Sequence, residues 1–426
     1  MCRKTSEGPF DDREDTVSAP NRAIDLSGEQ ITLGPVGDRV TRIAGAIGVL
    51  GLVATALLGM QGGVEGQARA MNSYLVAFCF FLSIMLGALF FTLIQHVTRA
   101  GWSVVLRRFA EAIAANAPLM AVLALPILVP IALGRDLLYV WTSSEALAHD
   151  HLMAGKVGFL NPTFFLIRMV VYFGAWSLMG SWFFRKSVEQ DTSGDPNLTV
   201  KMQSASAPGL FVFAITLTFA SLDLLMSLEP NWFSTMFGVY FFAGSALAFF
   251  ATLPIVSYFT QKAGRLVGLI SREHYHDMGK FVFAFIVFWA YIAFSQYMLY
   301  WYANIPEETV WFLRRQTGQW ESLSWLLLFG HFIVPFLALI SRIPKRAKGT
   351  LIVGAFWMLL MHYADLYYVA MPHLSEGVIP LSLMDLTAML GVGGFFVASV
   401  ATRLRNRSLV PQRDPRLHES LAFENF

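Results

Sequence analysis

Thiols are almost absent from this 426-residue chain, which has only Cys2 and Cys79. Iron–sulfur ligation takes clusters of thiolates and covalent haem attachment takes Cys-x-x-Cys-His, so neither cofactor is expected on this sequence. Charge is scarce as well: Asp, Glu, Lys and Arg make up 14% of the chain, against about 25% in a soluble globular protein. The net charge is +2, and the basic residues flank apolar segments rather than forming the stripe that nucleic acid requires. The first forty residues hold no apolar core, so no cleavable signal peptide is expected there.

What the chain has in abundance is apolar surface, with 55% hydrophobic residues and a mean hydropathy of +0.54. Stretches of about 20 apolar residues occur at 41–60, 71–97, 110–133, 163–184, 207–228, 233–260, 278–300, 322–341, 350–368 and 382–402. The sequence therefore predicts an all-α polytopic membrane protein. A polar cytoplasmic tail over 1–40 precedes a ten-helix domain over 41–402, and a second cytoplasmic tail covers 403–426. Of the 31 basic residues, only Arg69, Arg135, Lys156, Arg314 and Arg315 fall in outer connections, and Arg168 falls within a span. The rest lie on the inner side, which is the positive-inside pattern with both termini in the cytoplasm.

The outer rim carries Tyr139, Trp141, Trp232, Tyr300, Trp301, Tyr302, Trp311, Trp320, Tyr367 and Tyr368, and the simplest reading is an interfacial aromatic belt. His149, Asp150 and His151 occupy the long connection after the third span. Neighbours two apart on a helix do not share a face, so the two histidines read as solvated loop rather than as a metal site. His96, His331 and His362 fall near the inner end, at mid-depth and in the outer third of their spans, with no axial haem pair expected from them.

Asp223 within FAITLTFASLDLLMSLEP and Asp365 within LIVGAFWMLLMHYADLYYVAMP are the sharper features. An ionisable group at such depth costs at least ~2.5 kcal/mol and persists only with a partner, a proton or a task. His362 and Asp365 are three apart and share a helix face, the spacing of a proton relay. Arg168 is the permanent charge nearest the outer acids, and an opposite charge beside a carboxylate keeps it ionised. The proton-transfer candidates are Asp223, Asp365, His362, His331, Arg168, Asp385, Glu111 and His96. Helix-bridging polar groups are the competing reading, since interhelical hydrogen bonds are common and average only ~0.6 kcal/mol. That reading is the simpler one for Gln95, His96 and Glu111. Asp223, Leu224 and Pro230 also recur at the spacing of Asp365, Leu366 and Pro372. The two sets lie four spans apart, in the fifth and ninth, as a parallel repeat of spans 2–5 and 6–9 requires.

The segments FASLDLLMSLEPNWFSTMFGVYFFAG (219–244), DMGKFVFAFIVFWAYIAFSQYMLYWYANIPEET (277–309) and HVTRAGWSVVLRRFAE (96–111) resemble the ActF family. Its members are the second large membrane subunits of alternative complex III, within the NrfD or polysulfide-reductase-like group. The resemblance implies two four-helix bundles, spans 2–5 and 6–9, with two flanking helices. It also implies a place in a bacterial inner-membrane respiratory complex. That assembly oxidises menaquinol or ubiquinol and passes electrons through iron–sulfur and haem c subunits to cytochrome c or a terminal oxidase. A related NrfD-like subunit carries the quinol site, while this one conducts protons or supports the complex, although subunits of this kind are also described as quinone-binding. The family motifs match at Asp223, Ser295, Gln296 and Glu307, and Asp365 and His362 sit where the related helix carries acids. Arg168 with Asp223 is the pair nominated for a quinone headgroup. A purely structural scaffold and a proton-coupled secondary transporter are the alternatives, and the transporter would show inverted repeats and broken helices.

Overall fold

The computed structural model describes Gly28 and residues 30–425, so most of the expected amino-terminal tail lies outside the described residues. The chain is 78% helical, and no strand occurs among the described residues. Among the described residues, ten helices are long and apolar enough to cross a membrane. They are α1 (Pro35–Gln61), α2 (Gly63–Val97), α3 (Val104–Ala132), α4 (Pro162–Ser193), α5 (Pro196–Leu228), α6 (Phe237–Lys262), α7 (Arg272–Ala303), α8 (Gln319–Leu339), α9 (Lys348–Ala370) and α10 (Leu383–Leu404).

Each overlaps one predicted span, but several run further than hydropathy alone indicates. Helix α2 begins at Gly63 and carries Arg69 inside it, because an arginine with an ion-pair partner needs no exit to solvent. Helix α4 likewise continues through a polar segment to Ser193.

Helix α2 is the most enclosed span and lies against α3, α5, α6, α9 and α10. Helix α4 packs on α3 and α5, while in the second half α6 and α8 each pack on α7 and α9. Helices α1 and α10 pack along each other through glycines. A Cβ placed on Gly51 would lie 2.4 Å from the Gly391 nitrogen, so this close approach excludes any larger residue. The start of α1 meets the end of α10, where Gly34 donates its N–H to the Arg405 carbonyl at 2.9 Å. That side is the proximal face below, and the opposite side is the distal face.

Two loop regions are more enclosed than their sequences indicate. After α10 the chain turns back over the proximal face, with Leu409 donating to the Ile31 carbonyl at 2.7 Å and a last helix over Leu417–Leu421. Leu409, Val410 and Leu417 are the apolar residues that anchor it. On the distal face the connection after α3 buries Tyr139, Trp141, Met153 and Leu160. The aromatic belt is accordingly divided. Trp301 and Tyr302 stand exposed, whereas Tyr139, Trp141, Trp232, Trp311, Trp320 and Tyr367 are buried, because the distal connections fold over the helix ends.

Candidate functional site

Asp223 and Asp365, alike in sequence, occupy chemically different surroundings. Asp223 on α5 is fully enclosed and accepts two hydrogen bonds from Arg168 of α4, Nε to Oδ2 at 2.8 Å and Nη2 to Oδ1 at 2.6 Å. The Tyr172 hydroxyl donates to Oδ2 at 2.9 Å. The third guanidinium nitrogen reaches the Phe159 carbonyl at 2.9 Å, and the Phe159 ring lies 3.8 Å from the guanidinium. Planar fork-to-fork pairing of this kind satisfies both partners. A distal cavity of about 380 Å³ lies alongside, lined by Phe159, Lys156, Leu222 and Trp232 among others, but neither Arg168 nor Asp223 lines it. The residues nominated for a quinone headgroup thus spend their donors and acceptors on each other.

Asp365 on α9 is equally enclosed but has no Arg or Lys partner among the described residues. Its Oδ1 accepts from the Tyr240 hydroxyl of α6, and its Oδ2 from the Trp289 indole of α7 at 3.1 Å. His362, one turn earlier on α9, and His331 of α8 complete a buried trio whose ligand-bearing atoms lie within 4.8 Å of one another.

Local structure explains how His331 arrives there. It sits in a π-helical stretch, Leu327–Ile333, a wider and shorter turn that often marks functional positions. Pro335 follows, and since proline has no N–H it gives no backbone bond to the Gly330 carbonyl five residues earlier. The Trp357 indole fills that role at 2.7 Å. This turn shortens the rise between the start of α8 and His331. His331 lies beside His362 and Asp365.

The proton positions on His362 follow from its neighbours. Ser83 of α2 gives its one hydroxyl hydrogen to the Phe80 carbonyl at 2.7 Å, so it accepts at the 2.8 Å contact with His362 Nε2. A neutral His362 therefore carries its proton on Nε2 and presents the Nδ1 lone pair. That Nδ1, and both nitrogens of His331, have no hydrogen-bond partner among the described residues. The Trp289 ring lies 3.7 Å from the His331 ring, centroid to centroid. As a metal site the trio supplies three donors, and both carboxylate oxygens are already engaged by Tyr240 and Trp289. A closed structural zinc site uses four protein ligands, and an open one uses three with a water in the fourth position. The arrangement suits the binding and transfer of a proton.

The remaining candidates lie elsewhere. Asp385 is on the distal face, ion-paired to Arg69 at 2.6 Å, accepting from Ser73 at 2.9 Å and capping α10 through the Ser382 N–H at 2.9 Å. Glu111 and His96 meet on the proximal face, 4.0 Å apart. His149 and His151 are exposed, and Asp150 between them caps the short helix His151–Ala154 and binds Asn231 at 2.6 Å.

Sequence reasoning missed Tyr240, Trp289, Tyr172 and Ser83, which make the carboxylate and imidazole contacts. Their types are common in apolar helices, and only a helix-packing register would have aligned them with the acids. Arg107, Arg108, Asp191 and Asp414 were also missed, because they stood outside or at the ends of the apolar runs. No protein-family model matches the chain, and no curated protein matches it either. The functional reading therefore rests on this geometry and on the motif resemblance.

Proposed function

We propose that the chain is an integral membrane subunit of a quinol-oxidising electron-transfer complex resembling alternative complex III, and that it contributes a transmembrane proton path. The carrying observation is the Asp365, His362 and His331 trio. It is an acid without a counter-cation among the described residues, with His362, whose Nδ1 has no hydrogen-bond partner, and His331, with neither nitrogen bonded, close by. A lone carboxylate is costly at such depth, whereas one proton passed among these three groups offsets that cost and gives the site something to move. Quinol oxidation in a neighbouring subunit would drive the transfer by displacing Tyr240 or Trp289.

The helix contacts support the two-bundle arrangement, with α2–α5 and α6–α9 each packing in a ring and α1 with α10 alongside. The distribution of basic residues supports a cytoplasmic proximal face in a bacterial inner membrane. In this reading the subunit holds no redox cofactor, quinone is oxidised by an NrfD-like partner, and iron–sulfur and haem c subunits carry the electrons. The closed Arg168–Asp223 pair favours a second role at that position, structural anchoring of the distal connections on which partners dock.

Purification through a tag on this chain tests membership directly. The preparation should show absorption of c-type haem and the paramagnetic signals of reduced iron–sulfur centres, brought by co-purifying subunits. A pure, stable, single-chain preparation that itself carries a substrate across vesicles would overturn the proposal in favour of a solitary transporter.

A further inference from the structure

A second cluster of ionisable groups lies on the proximal face, and among the described residues its charges do not cancel. Arg107 and Arg108 of α3 face three carboxylates: Glu111 on the same helix, Asp191 at the end of α4, and Asp414 on the returning carboxy-terminal segment. Asp414 pairs with Arg107. Asp191 takes both terminal nitrogens of Arg108, at 2.8 and 3.0 Å. Each arginine thus already has its carboxylate. Glu111 is the third carboxylate, entirely enclosed, sharing the same two guanidinium groups without a well-aligned hydrogen bond from either and with the Ser187 side chain beside it. Its nearest charged atoms are Nε of Arg107 at 3.4 Å and Nε of Arg108 at 3.3 Å. His96 of α2 brings Nε2 to 4.0 Å, and neither of its ring nitrogens has a partner.

We propose that this cluster binds one dissociable proton, resting on Glu111 and passing to His96. Two guanidinium groups against three carboxylates leave one negative charge in a buried space, and isolated buried charge is strongly disfavoured. One proton removes it. Glu111 holds that proton at rest, because an imidazolium on His96 would stand beside two guanidinium groups. Transfer moves only H⁺, from a Glu111 oxygen to His96 Nε2, and converts a neutral pair into an ion pair. His96 and Ser83 lie on the same helix, so α2 carries a contact to this cluster at its proximal end and a contact to His362 further along. The inference deepens the proton-path reading by giving the path a loading site on the cytoplasmic side. Asp414 belongs to it, which gives the carboxy-terminal segment a part in setting its charge.

Infrared spectroscopy of the purified, full-length protein in its complex tests this without turnover. The measurement is made in an Asp365→Asn background, so that Asp365 does not contribute and a failure of the distal trio leaves the result intact. A protonated carboxyl C=O band that shifts on deuteration should be present, and Glu111→Gln should abolish it. Asp414→Asn should abolish it too, although Glu111 is untouched, because two guanidinium groups then face two carboxylates. Asp191→Asn provides the same test should either of the other variants fail to fold. A band that survives Glu111→Gln, or that is undiminished in Asp414→Asn and Asp191→Asn, would overturn the proposal.

Discussion

Arg168 and Asp223 form a two-pronged ion pair, 2.8 and 2.6 Å, in the interior of the α4–α5 interface. Among the described residues no such cation faces Asp365, its counterpart in spacing along the sequence. The two buried acids thus differ in their partners: one is paired with a guanidinium, the other accepts only from the neutral Tyr240 and Trp289 side chains.

The pair should behave as a structural lock. Removing one partner of a buried pair leaves the other uncompensated and costs about 3–5 kcal/mol, whereas replacing both with apolar residues is often close to neutral. Asp223→Asn is expected to lower thermal stability in detergent sharply, and Arg168→Met with Asp223→Leu to recover much of the loss. A single variant as stable as the parent would contradict this.

Space around the trio is equally restrictive. A Cβ on Gly244 would approach His362 Cε1 to 2.9 Å and Nδ1 to 3.1 Å. Gly244→Ala should displace the ring that presents the free lone pair, at a stability cost of about 1–3 kcal/mol. Proton translocation should fall further than assembly. Unchanged translocation at unchanged stability would show that Nδ1 is not in use.

Arg315, in the connection before α8, is completely enclosed on the distal face. It donates to Glu229 at 2.9 Å and to the carbonyls of Tyr368 and Val369 at 3.0 and 2.8 Å, and lies 3.5 Å above the Trp311 ring. Lysine cannot reproduce this fork and stack. Arg315→Lys should therefore destabilise by about 2 kcal/mol or more, as expected for charged donors left unmade, measured as a drop in the thermal midpoint.

Acid sensitivity is expected from His373, in the connection between α9 and α10. Burial, chiefly, lowers its pKa from 6.5 to about 4, with Glu229 opposing the shift. A folded-state value below the unfolded one means the fold excludes the protonated form. The stabilisation is complete above about pH 6.5 and is lost progressively as pH falls toward 4. His373→Gln should flatten the stability profile within that window, and an unaltered profile would assign the sensitivity to other groups.

The ten spans were legible because a bilayer crossing imposes a length and a composition that any sequence reader can see. The burial of Asp223 and Asp365 was legible too, since both acids lie within long apolar runs. Their difference was not legible, because it depends on which neighbouring helix turns an arginine or a tryptophan toward them. The meeting of His331 with His362 and Asp365 was not legible either, because the π-helical turn that carries His331 involves Pro335 and the Trp357 contact, between residues distant in sequence. Asp414 was hidden for a related reason: Leu409, Val410 and Leu417 are too few to read as an element, yet sufficient to seat a polar segment once the proximal face exists to receive them.

The most direct measurement is the number of protons moved per electron by the intact complex in sealed vesicles, with Asp365→Asn compared against the parent protein at matched quinol oxidation rates. The stoichiometry should drop while electron transfer continues, since Asn accepts the Tyr240 and Trp289 bonds in part but cannot release a proton. A full stoichiometry in Asp365→Asn would contradict the central claim that this carboxyl group carries protons across the membrane.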